Sequence, residues 1–248
     1  MSRILAIPGS LRAESFNARL LKALPPLAPD GMEFEFFGGI GELPLYNEDF
    51  DTDPALPAVA RWRAALRQAD GLVIATPEYN QSIPGVLKNA IDWASRPHGR
   101  GPLTGKAISV MVATLGRAKG FRGLTDTSRI LTGLGNLVIA EPEVVVPSAP
   151  SALTTGPDGE PCLTDPVAKT LITIQLEALA DVIKTQAAGS AREAVERNRS
   201  LMDYLHFFPI ITKALEDGAG TSAAAERLTA AGIDADTAAD WVERALRH

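Results

Sequence analysis

Ile4-Leu5-Ala6-Ile7-Pro8-Gly9-Ser10-Leu11-Arg12-Ala13-Glu14-Ser15-Phe16-Asn17-Ala18-Arg19-Leu20-Leu21-Lys22-Ala23-Leu24 reads as a strand, a loop and a helix in direct succession. Ile4 to Pro8 is a short apolar run of the kind buried on both faces of a sheet. Ala18 to Leu24 has helical spacing. A loop between a strand and a helix start suits an anion, because backbone N–H groups point outward there and the helix dipole adds partial positive charge. Gly9 permits close backbone approach. Ser10, Ser15 and Asn17 add side-chain donors, and Arg12 adds a planar cationic fork suited to phosphate. The plainer alternative is a capped turn with Ser15 as the helix cap.

The same alternation continues downstream. Strands are predicted near Ile4–Pro8, Glu33–Phe37, Leu72–Thr76, Ala107–Thr114 and Asn136–Ile139, the last extending toward Val144–Val146. Helices are predicted near Asn17–Leu27, Leu56–Ala69, Val86–Ala94, Gly123–Leu134 and Pro166–Thr185. The strands are continuous apolar runs, so the expected fold is α/β: a doubly wound parallel sheet with right-handed crossovers. Two long Pro/Gly-rich connections, Gly38–Pro57 and Ser148–Pro161, read as loops. Residues 1–187 form the expected main domain. From Ala188 the alternation stops, and residues 188–248 read as a helical extension. There Pro209 interrupts a helix over Ala191–Glu216, Gly232 ends the next, and Asp236 caps the last. Leu201, Met202, Leu205, Phe208 and Ile211 give this extension an apolar stripe that must be buried.

Composition narrows the function. Hydrophobic residues make up 46% of the 248 positions, which supports a real core and excludes global disorder. The formal net charge of −6, without a long basic run, argues against nucleic acid as a partner. Cys162 is the sole cysteine, so neither an intramolecular disulfide nor a cysteine-based metal cluster is expected. His98, His206 and His248 lack metal-ligand spacing. No leader pattern and no bilayer-length apolar stretch is visible, so a soluble cytoplasmic protein is the expectation, without a membrane partner.

The third strand runs out into Pro77-Glu78-Tyr79-Asn80-Gln81-Ser82-Ile83-Pro84-Gly85. Two prolines stiffen it and one aromatic offers a wall for a flat ring. In a sheet ordered 2-1-3-4-5, this loop and the first one flank the crevice where ligands bind. No Gly-x-x-x-x-Gly-Lys-Ser/Thr and no Gly-x-Gly-x-x-Gly after the first strand is present, against a P-loop or a dinucleotide fold.

Gly9-Ser10-Leu11-Arg12-x-x-Ser15-x-Asn17, followed by Pro77-Glu78-Tyr79-Asn80-x-Ser82-Ile83-Pro84-Gly85-x-Leu87-Lys88-Asn89-Ala90-Ile91-Asp92-Trp93, resembles the NADPH-dependent FMN reductases of the flavodoxin-like fold. The resemblance spans about residues 1–185. It implies the 2-1-3-4-5 sheet, and an FMN phosphate held by Ser10, Arg12, Ser15 and Asn17, with Phe16 in the same loop. It places Pro77, Glu78, Tyr79 and Asn80 along the flavin ring, largely through backbone groups. The family's third loop follows the fourth strand and is glycine-rich with small polar residues; here it is Thr114-Leu115-Gly116-Arg117-Ala118-Lys119-Gly120-Phe121-Arg122-Gly123. Thr114 and Gly116 fit that pattern, whereas Leu115 and the three cations depart from it. Arg117, Lys119 or Arg122 is a candidate for the NADPH phosphate.

The implied activity is hydride transfer from NADPH or NADH to flavin, and on to a small acceptor such as a quinone. That chemistry belongs to the cofactor, so no protein acid or base and no metal is expected. The protein's part is to hold two rings about 3–3.5 Å apart and to stabilise charge on the reduced flavin. The alternatives are a flavodoxin-like electron carrier and a flavin-binding regulatory protein. The family resemblance also implies a homodimer or homotetramer, assembled through the helix after Pro84.

Overall fold

Five strands build one sheet: β1 (Ser2–Pro8), β2 (Met32–Phe36), β3 (Gly71–Ala75), β4 (Ala107–Ala113) and β5 (Leu137–Val146). Every pairing is parallel, and the order is β2-β1-β3-β4-β5. The coordinates are a computed structural model that describes all residues except 53, 98, 117–119, 219 and 247–248, and the side chains of 190–192, 194–203 and 205 besides. Successive side chains of a strand point to opposite faces. Ile4, Ala6, Val73, Ala75, Met111 and Ala113 therefore face one layer, with α1 (Phe16–Lys22) and α6 (Pro166–Lys184). Leu5, Ile7, Leu72, Ile74, Val110 and Val112 face the other, with α2 (Pro57–Gln68), α3 (Gly85–Ala94) and α4 (Phe121–Gly133). Both faces are apolar because both are covered, which is why these strands do not alternate in polarity.

Several boundaries differ from the sequence reading. α1 ends at Lys22, not Leu27, because Pro25 and Pro26 bring no N–H and force a separate 3₁₀ turn over Pro25–Leu27. β5 is one strand through Val146, with a register shift opposite Ser109 and Met111. Gln175 of α6 serves that irregular stretch: its Nε2 donates to the Ile139 and Pro142 carbonyls at 3.3 and 2.7 Å, and its Oε1 accepts from the Ser109 hydroxyl. The Ser148–Pro161 segment is not an open loop. It contains α5 (Ala149–Ala152) and β6 (Leu153–Thr155), and β6 pairs antiparallel with β7 (Pro161–Leu163). Strands of three residues are too short to show periodicity in a sequence.

The chain divides into two compact units, Met1–Arg192 and Glu193–His248, and the division falls within α7 (Ala187–Glu216). In the second unit Tyr204, Ile211 and Ala214 of α7 form a core with Ala224 and Leu228 of α8 (Gly220–Ala230) and Trp241 and Val242 of α9 (Ala235–Leu246). α7 is continuous through Pro209 rather than interrupted there. Phe207, Phe208, Ile210 and Ile211 all pack around that proline's turn, and their burial outweighs the roughly 3 kcal/mol a helical proline costs. Ile211 and Phe208 thus belong to this core, while the side chains of Leu201, Met202 and Leu205 lie outside the described residues. α8 ends as anticipated at Gly232, with φ +94°, in a Schellman turn in which Ile233 N–H donates to Leu228 O and Gly232 N–H to Thr229 O. Among the described residues no helix is long and apolar enough to cross a membrane, and no grouping of metal-ligating side chains occurs. His98 and His248 lie outside them.

α9 starts one cap earlier than the sequence suggested. Asp234, not Asp236, accepts the Thr237 N–H at 3.0 Å. The Thr237 backbone bond, joined by the Thr237 side chain, holds the Asp234 carboxyl below its ordinary value. A carboxyl lowered on folding contributes stability above its unfolded pKa of about 4, and loses it as pH falls through the lower folded value. The expected result is an NMR titration of Asp234 with a midpoint below about 4 that moves up to the ordinary value in Thr237→Pro, which lacks the N–H. An unmoved midpoint would assign the shift to another cause.

Candidate functional site

Three outgoing connections meet at the carboxyl ends of β1, β3 and β4. The first, 9–15, leaves β1 through Gly9, whose N–H donates to Ala75 O at 2.8 Å. A Cβ on Gly9 would lie 2.4 Å from Thr76 Oγ1 and 3.0 Å from Thr76 Cα. The glycine is thus required by the neighbouring strand end. Ser15 caps α1, accepting the Ala18 N–H at 3.3 Å, as the plainer reading had it. The helix it caps has only seven residues, so the anion-binding capacity here rests on side chains more than on a helix dipole. Arg12 stays at the surface, with its Nη2 donating to Glu14 O at 2.9 Å.

Asn17, anticipated as a phosphate donor, lines the cavity and is bound to the chain itself. It is 3% exposed, its Oδ1 accepts the Ala113 N–H at 2.8 Å, and its Nδ2 donates to Ala113 O at 3.1 Å. It clamps the start of α1 to the end of β4.

The second connection begins at Pro77. Tyr79 and Ser82 exchange backbone hydrogen bonds of 2.9 and 3.0 Å around Asn80 and Gln81, which have φ +51° and +68°. Asparagine tolerates that left-handed conformation, and glutamine is held in it by the closed turn. The turn is latched onto α4. Glu78 Oε2 accepts the Gly120 and Arg122 N–H groups at 3.0 and 3.2 Å, Ser82 Oγ donates to Asp126 at 2.7 Å, and the Arg122 guanidinium bonds the Gln81 side chain. Gly123 lets the two pieces close up, since a Cβ there would sit 3.2 Å from Glu78 Cα. Ser10 Oγ and Tyr79 OH lie 3.3 Å apart and join the first connection to the second.

These connections enclose a cavity of about 460 Å³. It is lined by Ser10, Arg12, Ser15, Phe16, Asn17, Pro77, Glu78, Tyr79, Thr114 and Gly116, together with Ala113 and Leu115. Asn80 is the one anticipated residue outside the lining; it sits exposed at the turn tip. Leu115 is the lining side chain that the sequence marked only as a departure from pattern. Arg122 is occupied by the latch, and Arg117 and Lys119 lie outside the described residues. Leu87, Ala90, Ile91 and Trp93 of α3 are buried in the core of their own unit.

Glu78 supplies a test of the latch. Glu78→Ala is expected to destabilise the fold by about 1 kcal/mol, the usual worth of a helix cap. Glu78→Gln keeps an acceptor oxygen and is expected to stay near wild type. Urea midpoints decide this, and equal losses in the two variants would show that charge, not the latch, is what matters.

The site agrees with what the chain is similar to. A sequence profile described as NADPH-dependent FMN reductase matches residues 2–151. The NAD(P)H-dependent FMN reductase PA1204 of Pseudomonas aeruginosa is 42% identical over 177 residues, covering 71% of this chain and 92% of that protein. The quinone reductase of Escherichia coli K12 is 41% identical over 142 residues, covering 57% and 75%. Among solved structures, FerB of Paracoccus denitrificans, a flavoenzyme NAD(P)H:(acceptor) oxidoreductase, has a TM-score of 0.65 at 30% identity, covering 75% of this chain and 99% of that one. Sheet order, loop chemistry and a profile spanning more than half the sequence thus converge: the chain belongs to the NADPH-dependent FMN reductase family.

Proposed function

We propose that the protein is an NAD(P)H-dependent, FMN-containing oxidoreductase that passes reducing equivalents to a small acceptor such as a quinone. One observation carries this reading: a single cavity in which hydroxyl and guanidinium donors, Ser10, Ser15 and Arg12, face a proline-stiffened wall, Pro77 to Tyr79. That donor set suits a phosphate and that wall suits a flat ring, which together describe FMN.

FMN held there would supply the hydride and electron-transfer chemistry. The chain's own residues do the placing. Arg12 and the two serines anchor the phosphate end, and the Glu78 latch fixes the wall against α4. The Ser10–Tyr79 contact sets the spacing between them. No side chain in the cavity is needed as an acid or base. The chain works as a cytoplasmic homodimer or homotetramer in this reading, supported by its family membership and checked by light scattering.

The test is an anaerobic visible spectrum with one equivalent of FMN, before and after NADPH. Bleaching of the flavin band faster than for free FMN is expected. Binding without bleaching would make the protein an electron carrier or a flavin sensor instead, and absence of binding would overturn the proposal.

A further inference from the structure

Two of the residues that line the cavity carry large apolar side chains that stand exposed: Tyr79 at 46% and Leu115 at 66%. A single exposed leucine is unremarkable, but a leucine and a tyrosine from two separate connections, exposed in one cavity, mark a place for an apolar ligand. Polar groups nearby are already used: the Glu78 carboxylate caps α4, and the Tyr79 hydroxyl turns toward Ser10.

Resting on the proposed flavin chemistry, we propose that Leu115, with Tyr79 beside it, is the specificity-determining element for the acceptor, selecting uncharged, planar, alkyl-bearing aromatic acceptors over small charged ones. Leu115 is chosen because it is the more exposed of these two lining side chains. Its contact area is lost from water only when an apolar molecule lies against it. For a substituted 1,4-benzoquinone the balance is complete. A hydride originating on NAD(P)H and a proton from solvent convert it to the hydroquinone, two electrons in all. Leu115 touches no bond that changes, so its effect falls on acceptor binding.

The test compares Leu115→Ser with wild type, using an alkylated 1,4-benzoquinone and ferricyanide as acceptors. The expected result is a KM for the quinone raised about three- to tenfold relative to that for ferricyanide, the loss of part of a leucine's burial. Turnover is referred to bound flavin, so that a change in FMN affinity at this lining residue is separated from acceptor choice. Equal losses with both acceptors, or none with either, would overturn the inference. A change of oligomeric state in the variant would overturn it too, since Leu115 would then belong to a contact between copies of this chain. If wild type is not bleached by NADPH, the flavin chemistry itself fails; if it is bleached and acceptor discrimination is untouched, only the role of Leu115 fails.

Discussion

Asn17→Ala is expected to lower the unfolding free energy by about 2–4 kcal/mol, because it orphans two buried backbone groups at once. Ala113 N–H and C=O are both bound by this one side chain at the inner end of the cavity. The same change uncouples α1 from β4, so the cavity wall loosens and FMN affinity falls with stability. Urea denaturation with an unchanged m-value is the measurement. Asn17→Asp refines it. The carboxylate keeps the acceptor for Ala113 N–H but sets a second oxygen against Ala113 C=O, so its stability is expected to fall well below wild type. Wild-type stability in either variant would show that the clamp carries no weight.

Arg12→Ala is expected to weaken FMN binding by about ten- to a hundredfold, the equivalent of one charge-assisted hydrogen bond of roughly 1.5–3 kcal/mol. Arg12 lines the cavity, and its guanidinium is tied to the chain at Glu14 O through Nη2. That arrangement leaves further donors of the five for a phosphate. Riboflavin, which has the ring without the phosphate, is the internal control. Its affinity is expected to be the same for wild type and variant. Equal losses for FMN and riboflavin would place Arg12 at the ring instead, and no loss for either would remove it from the site.

The fold was legible because its central strands are buried on both faces and so announce themselves as unbroken apolar runs: Leu72–Thr76 and Ala107–Thr114 need no context to be read. The crevice followed from the strand order, and the two loops flanking it followed from their donors, prolines and aromatic. What the sequence hid was partnership. Asn17 and Glu78 have side chains suited to a ligand, yet each is committed to backbone groups about 96 and 42 positions further along the chain. Nothing in a linear motif distinguishes a donor aimed at a phosphate from one aimed at a strand end. Gly9 is the same kind of case, since the atom that forbids its side chain belongs to Thr76. The β6–β7 hairpin and the start of α9 escaped for a local reason: three-residue strands, and Asp234 and Asp236 only two positions apart, carry too little pattern to choose between readings.

The clamp also explains how the crevice opens at all. Thr76 N–H still pairs with Met111 O on β4 at 3.0 Å. In an uninterrupted parallel ladder the Thr76 carbonyl would next receive Ala113 N–H. The chain departs at Pro77 instead, and the amide of Asn17 takes that rung, acting as a peptide group borrowed from another part of the chain. A zipper can therefore part at its last tooth without exposing raw edges, and the gap so made becomes the inner end of the cavity. On this view Asn17 is a hem. Homologous chains that keep Pro77 but lose the asparagine would need some other amide, or an ordered water, stitched into the same position.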